Sequence, residues 1–442
     1  MSSRLPPGPS SHPMIQGLQF AFRPISFLER CARRYGETFL VRLPLGLPFV
    51  IFSNPAAIRD IFTASDGDLR AGEANQVIRP LLGDHSLLSL DGTRHTRERR
   101  LMLPPFHGER MLGYGDVMRQ VAEAAIARWP IGRPFPVHPE MQAITLEVIL
   151  RTVFGLADGA TLDALRVRLR RLLNMVVNPI WLLPAFQRDL GRFSPGRMFQ
   201  RLKAEIDALL YAEFARRRTA ASSEATDVLS LLLAARDEDG RPMTDAELRD
   251  EMVTLLVAGH ETTATALAWA LHNLLAHPYV LATLRAEVTA GPLSPDRLAR
   301  LEYLDGTVKE TLRLDPVVPE VGRHLSRPMR IGGWDLPTGV AAGPAIYLTH
   351  RRPDVWPEPE RFDPTRFVGR RPSPYEFLPF GGGTRRCLGM AFALYEMKVV
   401  LATVLAHVEM AAAPGYRMRM VRRAITLAPS EGMPLVVERR AA

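Results

Sequence analysis

Between Thr244 and Ala276 the chain carries a pattern that fixes the length of one element, and with it the least size of the fold. Thr244-Asp245-Ala246-Glu247 has the Thr-x-x-Glu form, in which hydroxyl and carboxylate each satisfy a free N–H at a helix start. No proline interrupts the run until His277-Pro278. The predicted helix is about 32 residues, or about 48 Å at ~1.5 Å per residue, long enough to cross a whole domain. Apolar residues lie nearly all round it, so it is expected to be buried. Its middle nevertheless reads Gly259-His260-Glu261-Thr262-Thr263. Polar side chains there must find partners or face a cavity.

The rest of the 442 residues reads mostly as helix, with strand-like alternation at 38–51, 329–347 and 417–437. Strands so few and so distant in sequence imply a mainly α fold with a small β-lobe set against the helical body. Length alone allows one large domain or two or three small ones. No repeat or low-complexity tract divides the chain, and its nearest approach to a linker, 220–226, is short and bounded by helical patterns. One domain over 1–442 is therefore expected, entered by a Pro-rich lead-in, 1–24, whose Leu5-Pro6-Pro7-Gly8-Pro9 run is extended.

No stretch reaches the roughly 18 uninterrupted apolar residues of a membrane span, and the N-terminus lacks the basic-then-apolar order of a signal peptide. Cys31 and Cys387 lie far apart, and no Asn-x-Ser/Thr site occurs. A cytoplasmic, unanchored monomer is the expectation. The net charge of +9 invites a nucleic-acid reading. Against it, the basic residues are spread along the chain without interleaved aromatics, and the runs at 97–100 and 168–171 read as solvated helix faces. No nucleic-acid partner is expected.

The most informative segment is Phe380-Gly381-Gly382-Gly383-Thr384-Arg385-Arg386-Cys387-Leu388-Gly389. Three glycines permit a tight loop that side chains would block. A helical pattern begins at Leu388, which puts Cys387 at a helix N-terminus, where N–H groups and the dipole favour a thiolate. A stable thiolate suits a haem iron as a strongly electron-donating axial ligand, and Arg385 could place a cation on a haem propionate. A buried structural cysteine and a phosphate cradle are the alternatives. The second lacks the Gly-x-x-x-x-Gly-Lys-Ser/Thr pattern.

With Phe380, Gly383, Arg385, Cys387 and Gly389 at their set offsets, the string resembles the haem-binding signature of the cytochrome P-450 superfamily, Phe-x-x-Gly-x-Arg-x-Cys-x-Gly. The resemblance assigns Cys387 as the axial ligand of heme b and Arg385 as a propionate contact. Ala258-Gly259-His260-Glu261-Thr262-Thr263 resembles the family's oxygen-activation motif. Ala258 and Thr262 are one turn apart, so dioxygen could sit against small residues. By the same resemblance Thr262 hydrogen-bonds dioxygen during its activation, and Glu261 relays protons. Glu310-x-x-Arg313 with Arg366 resembles the family's structural triad. Glu213/Arg216 and Glu358/Arg361 share the Glu-x-x-Arg spacing but are expected to be surface pairs. Arg323 corresponds to another propionate arginine. Asp91-Gly92-Thr93-Arg94-His95-Thr96-Arg97-Glu98-Arg99 resembles the bacterial propionate helix, with His95 and Arg99 on one face. Membrane-bound members usually carry Trp where His95 stands.

The resemblance implies a monooxygenase that inserts one oxygen atom of dioxygen into an apolar small molecule such as a fatty acid or terpene. A dinucleotide fingerprint is absent, so electrons are expected from a separate ferredoxin and ferredoxin reductase, docking on basic residues such as Arg100 and Arg386. A peroxide-using or isomerising haem-thiolate enzyme, and a haem-binding sensor or carrier without turnover, are the competing readings. The Glu261-Thr262 pair argues against both. Family topology places 75–88 over the haem, 175–184 as an access lid, and 317–321 with Gly432-Met433 completing the pocket.

Overall fold

The predicted long helix is present as Asp245–Ala276 (α5). The structure is a computed structural model that describes residues 5–44, 47–106, 110–156, 159–177, 188–189, 191, 194–219 and 227–441. The capping box at the start of α5 is formed: Thr244 Oγ1 accepts from Glu247 N–H at 3.2 Å, and Glu247 Oε2 accepts from Thr244 N–H at 2.8 Å. Such a cap contributes about 1 kcal/mol. Beyond the polar stretch the helix buries Ala264, Leu267, Ala268, Trp269 and Ala270. Trp269 Nε1 is satisfied by the Leu427 carbonyl at 2.8 Å.

Helix α5 packs on Val137–Thr152 (α3), Glu302–Leu314 (α6) and Met390–His407 (α7). The close approach of α3 needs Gly259, because a Cβ there would lie 3.1 Å from Ile149 Cδ1. Helix α7 is the one helix among the described residues long and apolar enough to cross a membrane, and two-thirds of it is buried inside the protein. Glu310 and Arg313 of α6 are fully buried, 2.6 Å apart, with Arg366 3.3 Å from the same carboxylate. Arg313 also donates to the carbonyls of His350 and Pro359, so the ion pair ties α6 to the segment ahead of the glycine-rich loop.

The β-lobe is a five-stranded sheet in the order Thr38–Arg42 (β1), Pro48–Phe52 (β2), Ala341–Pro344 (β5), Arg323–Leu325 (β4) and Leu69–Arg70 (β3). Only the β2/β5 pair is parallel. A separate antiparallel hairpin, Met420–Arg423 (β6) with Thr426–Pro429 (β7), lies against α5. Its turn residue Ala424 has φ of 49° and donates its N–H to the Val177 carbonyl at 2.8 Å, at the end of Ala160–Val176 (α4).

Some expectations are corrected. The lead-in is not merely extended: Pro13–Phe22 (α1) is helical, and Gln16 in it is buried, bonding the Pro9 and Ser11 carbonyls and the Arg42 N–H. Glu213 is buried, because it serves Arg217 at 2.6 Å as well as Arg216, whereas Glu358/Arg361 is the expected surface pair. The run 97–100 is not one solvated face: Arg97 is held by Glu98, Asp237 and Glu247, and Arg99 turns inward. The stretch 220–226 lies outside the described residues.

Candidate active site

Between the middle of α5 and the glycine-rich loop lies a cavity of about 550 Å³. Every candidate cofactor-binding or catalytic residue named from the sequence borders it. Ala258, Glu261 and Thr262 come from α5, His95 and Arg99 from Gly92–Met102 (α2), and Arg323 from β4. Phe380, Arg385 and Cys387 come from the loop. Ala258 is exposed in an otherwise buried helix because it faces this space.

The loop is shaped by its glycines. Gly381 and Gly383 have φ of 63° and 65°, and a Cβ on Gly382 or Gly383 would strike the ring or carbonyl of Phe62 at 2.2 Å. Cys387 N–H closes the loop onto the Phe380 carbonyl at 2.9 Å. Helix α7 starts at Met390 rather than Leu388, since Leu388 and Gly389 still belong to the turn. Burial pushes the Cys387 thiol above its ordinary value, although the Gly389 N–H and the charges of Arg99 and Arg386 pull the other way. The protein groups alone do not offset the desolvation; a positive centre in the cavity would.

Opposite charges collect along one edge. Arg385 donates to Asp66 at 2.6 and 2.9 Å, to Asp91 at 2.6 Å and to the Leu87 carbonyl at 3.3 Å. His95 Nδ1 lies 3.2 Å from the same Asp66 carboxylate. Burial would raise Asp66, yet His95 and Arg385 together hold it down at about 2. Arg99 and Arg323, by contrast, have no carboxylate within ion-pair distance among the described residues. Burial pulls both guanidinium groups below their ordinary range, Arg323 to about 10 with Arg385 contributing. Two desolvated, unpaired cations in one cavity are costly unless an anionic group completes them.

The acid and alcohol of α5 do not face each other. Thr262 Oγ1 donates to the Ala258 carbonyl one turn back. Glu261 accepts from Gln142 Nε2 at 2.5 Å and from Arg423 Nε at 3.1 Å. His138 Nε2 is 3.8 Å from Glu261 and 3.2 Å from Thr265 Oγ1, and burial pulls this histidine to about 3, so it is neutral. Asp91 opens the string that resembles the propionate helix, without a role of its own in that reading; Asp66, Gln142, His138 and Arg423 were not found from the sequence. Each is a common residue type in a remote segment, with no spacing to mark it.

The cavity walls follow the expectation in part. Residues of 75–88 such as Leu81 and Leu88, with Val317, Val318 and Val321, line it. So do Val176 and Val177, while 178–184 lie outside the described residues. Gly432-Met433 does not reach it: Met433 is fully buried, and Gly432 sits against Pro136 and Pro139. The hairpin turn from Arg422 to Thr426 takes that place.

Among the described residues no cluster of three or more His, Cys, Asp or Glu side chains gathers to hold a bare metal ion. One thiol on the cavity wall, that of Cys387, and two unpaired arginines at its edge suit a haem, which needs a donor for its iron and partners for its propionates.

Comparisons with known proteins agree. The sequence model of a family described as "Cytochrome P450" matches residues 6–436. "Putative cytochrome P450 135B1" of Mycobacterium tuberculosis is 45% identical over 435 residues, covering 98% of this chain and 91% of that protein. "Putative cytochrome P450 138" of the same organism is 38% identical over 450 residues, covering 99% and 97%. Among solved structures, "Retinoic acid bound cyanobacterial CYP120A1" superposes with a TM-score of 0.87 at 27% identity, covering all of both chains. "Crystal structure of cytochrome P450DA heme domain" gives 0.84 at 26% identity, covering 100% and 98%.

Proposed function

This chain belongs to the cytochrome P450 family and is a haem b monooxygenase, and from that premise we propose that it hydroxylates apolar small molecules of the fatty-acid or terpenoid kind. Its electrons come from a separate ferredoxin and ferredoxin reductase, and it works in the cytoplasm without a spanning anchor. The observation that carries the assignment of the site is the convergence of Cys387 with the unpaired Arg99 and Arg323 on one apolar cavity. A structural neighbour that holds retinoic acid, a largely apolar molecule, supports the substrate class.

Cys387 Sγ would hold the haem iron, and Arg99, Arg323, His95 and Arg385 would hold the propionates. Asp66 and Asp91 aim Arg385 and His95 from behind. Haem, when bound, supplies dioxygen activation and oxygen transfer. The chain's own groups place the substrate, exclude water and move protons. Leu81, Leu88, Val317 and Val318 give the substrate an apolar wall against the exposed face of Ala258. Thr262 Oγ1 leaves the Ala258 carbonyl by a rotation about its Cα–Cβ bond and then donates into the cavity. Glu261, whose carboxylate accepts from Gln142 and Arg423, takes a proton from solvent and, on turning toward the cavity, replaces the one that Thr262 gives.

The test is spectroscopic. Reduced protein under carbon monoxide is expected to show the strongly red-shifted Soret band of a thiolate-ligated haem. Cys387→Ala abolishes that band, and Cys31→Ala, at a buried site remote from the cavity, leaves it intact. Retention of the band in Cys387→Ala would overturn the ligand assignment.

A further inference from the structure

Helix α1 is built inside out. None of its ten residues is charged, yet Met14, Ile15, Leu18 and Phe22 are 53, 47, 54 and 67% exposed. At ~100° per residue these four fall within an arc of about 100°, a single face. The helix turns Gln16 inward instead, where its amide is fully bonded to backbone groups. A fold left to cover itself would bury the apolar stripe and solvate the glutamine. The inversion marks this face as one that another apolar phase covers.

The neighbouring surface has the matching chemistry. Helix α1 adjoins β6, and the Arg422 guanidinium sits 5.1 Å over the Phe20 ring. Around that junction Met418, Val421 and Ile425 are exposed apolar residues. The stretch 416–425 carries no acid; of its four arginines, Arg422 and Arg423 turn inward to Glu320 and Glu261, and Arg417 and Arg419 do not. Arg23 at the end of α1, Arg417 and Arg419 are all exposed. Glu431, 3.6 Å from Arg419, is the one carboxylate among the described residues paired with these three, and that pair is itself solvent-exposed. Apolar side chains bordered by arginines are what an amphipathic interfacial segment presents to acyl chains and anionic headgroups.

We propose that α1 and the β6–β7 hairpin seat this protein peripherally on an anionic lipid surface, with α1 lying in the plane of the headgroups. The docking is interfacial: ten residues at ~1.5 Å each reach about 15 Å, half of a ~30 Å hydrocarbon core. The hairpin that rests on the lipid also walls the cavity, through Arg422 to Thr426, and its turn holds the end of α4. An apolar substrate dissolved in the bilayer would therefore be concentrated beside the cavity wall. That last link rests on the function proposed above; the docking itself does not.

The experiment is flotation of the haem-loaded full chain with vesicles of phosphatidylcholine containing a minor share of phosphatidylglycerol, and with phosphatidylcholine alone. Binding is expected on the anionic vesicles at low salt and should fall as salt rises. Leu18→Ser with Phe22→Ser should weaken it about tenfold or more, from lost apolar burial. Arg417→Ser with Arg419→Ser should weaken it about tenfold on anionic vesicles only. The second pair keeps the proposal testable if the first disturbs folding. Absence of flotation with either vesicle, or unchanged binding by both variant pairs, overturns it. So does a dimer in sedimentation that Leu18→Ser with Phe22→Ser dissolves while vesicles stay unbound, since a second copy would then cover the face. The carbon monoxide band, read in the same samples, keeps failure of the haem assignment separate.

Discussion

Arg99 and Arg323 show what a single residue can say about a missing partner. Each guanidinium is desolvated without a carboxylate among the described residues, so in the protein alone each destabilises the fold, and the proposed pairing with haem propionates would reverse the sign. Arg323→Met should accordingly raise the melting temperature of haem-free protein while speeding loss of haem to an acceptor globin. A hydrogen bond to a charged group contributes about 1.5–3 kcal/mol, so release should accelerate roughly 10- to 100-fold. An unchanged release rate would remove Arg323 from the propionate site. The arginine itself was legible in the sequence, as were Cys387 and Thr262, because each sits at a set offset within a local string or a fixed distance from one. The pairing of Asp66 and Asp91 with Arg385 was not, although Asp91 itself opens the string 91–99. Both acids meet Arg385 from about 300 residues away, and nothing local distinguishes an acid that aims an arginine from one that faces water.

At the scale of elements, legibility followed the strength of local rules. Helix α5 announced both its start and its polar middle, because a capping box and a proline stop are local chemistry. Helix α1 gave no such signal, since its one polar inward residue and its apolar outward face invert the pattern that sequence reading relies on. The contact of α2 with α5 carries a pH dependence of its own. Burial, and then the nearby Glu247, raise Glu98 to about 7 against the pull of Arg97. A carboxyl whose folded-state pKa exceeds its unfolded value of ~4.3 favours the fold when protonated. Relative to a permanently neutral side chain, its cost is absent below ~4.3 and grows as pH rises toward its folded value. Glu98→Gln should thus nearly match the parent near pH 4 and exceed it near pH 8. The gain is about 1.4 kcal/mol for each tenfold difference in proton affinity between the folded and unfolded chain. Buried Glu251 beside it is raised as well, so the difference between parent and variant, rather than the parent's own slope, isolates Glu98. Equal melting curves at both pH values would show that Arg97 keeps Glu98 ionised in the fold.

For the whole molecule the net charge of +9 must be apportioned among surfaces. Arg417 and Arg419, just ahead of the hairpin, belong to the proposed lipid face, and the basic residues beside the Cys387 loop to the proposed approach of an acidic electron donor. The structure separates the two residues expected for that role. Arg100 is already paired with Glu238 on the surface, which weakens its pull on a partner. Arg386 is exposed and within ion-pair distance of no carboxylate among the described residues; its Nη2 lies 3.0 Å from Met390 Sδ. Reduction by an acidic ferredoxin should therefore slow as salt rises, since the Debye length contracts from ~10 Å at 0.1 M to ~3 Å at 1 M. At low salt Arg386→Glu should lower the association rate by roughly tenfold, and Arg100→Glu by much less, because rim charges act chiefly on encounter. Arg386 adjoins Cys387, so the carbon monoxide band must be unchanged in the variant before the rate is read. Substrate affinity should be the same in all three proteins, because Arg100 lies off the cavity and Arg386, which borders it beside Cys387, is not among the apolar side chains that would hold the substrate. A reduction rate indifferent to both salt and Arg386→Glu would mean that the positive surface serves the lipid face alone, and that electrons enter through an uncharged contact.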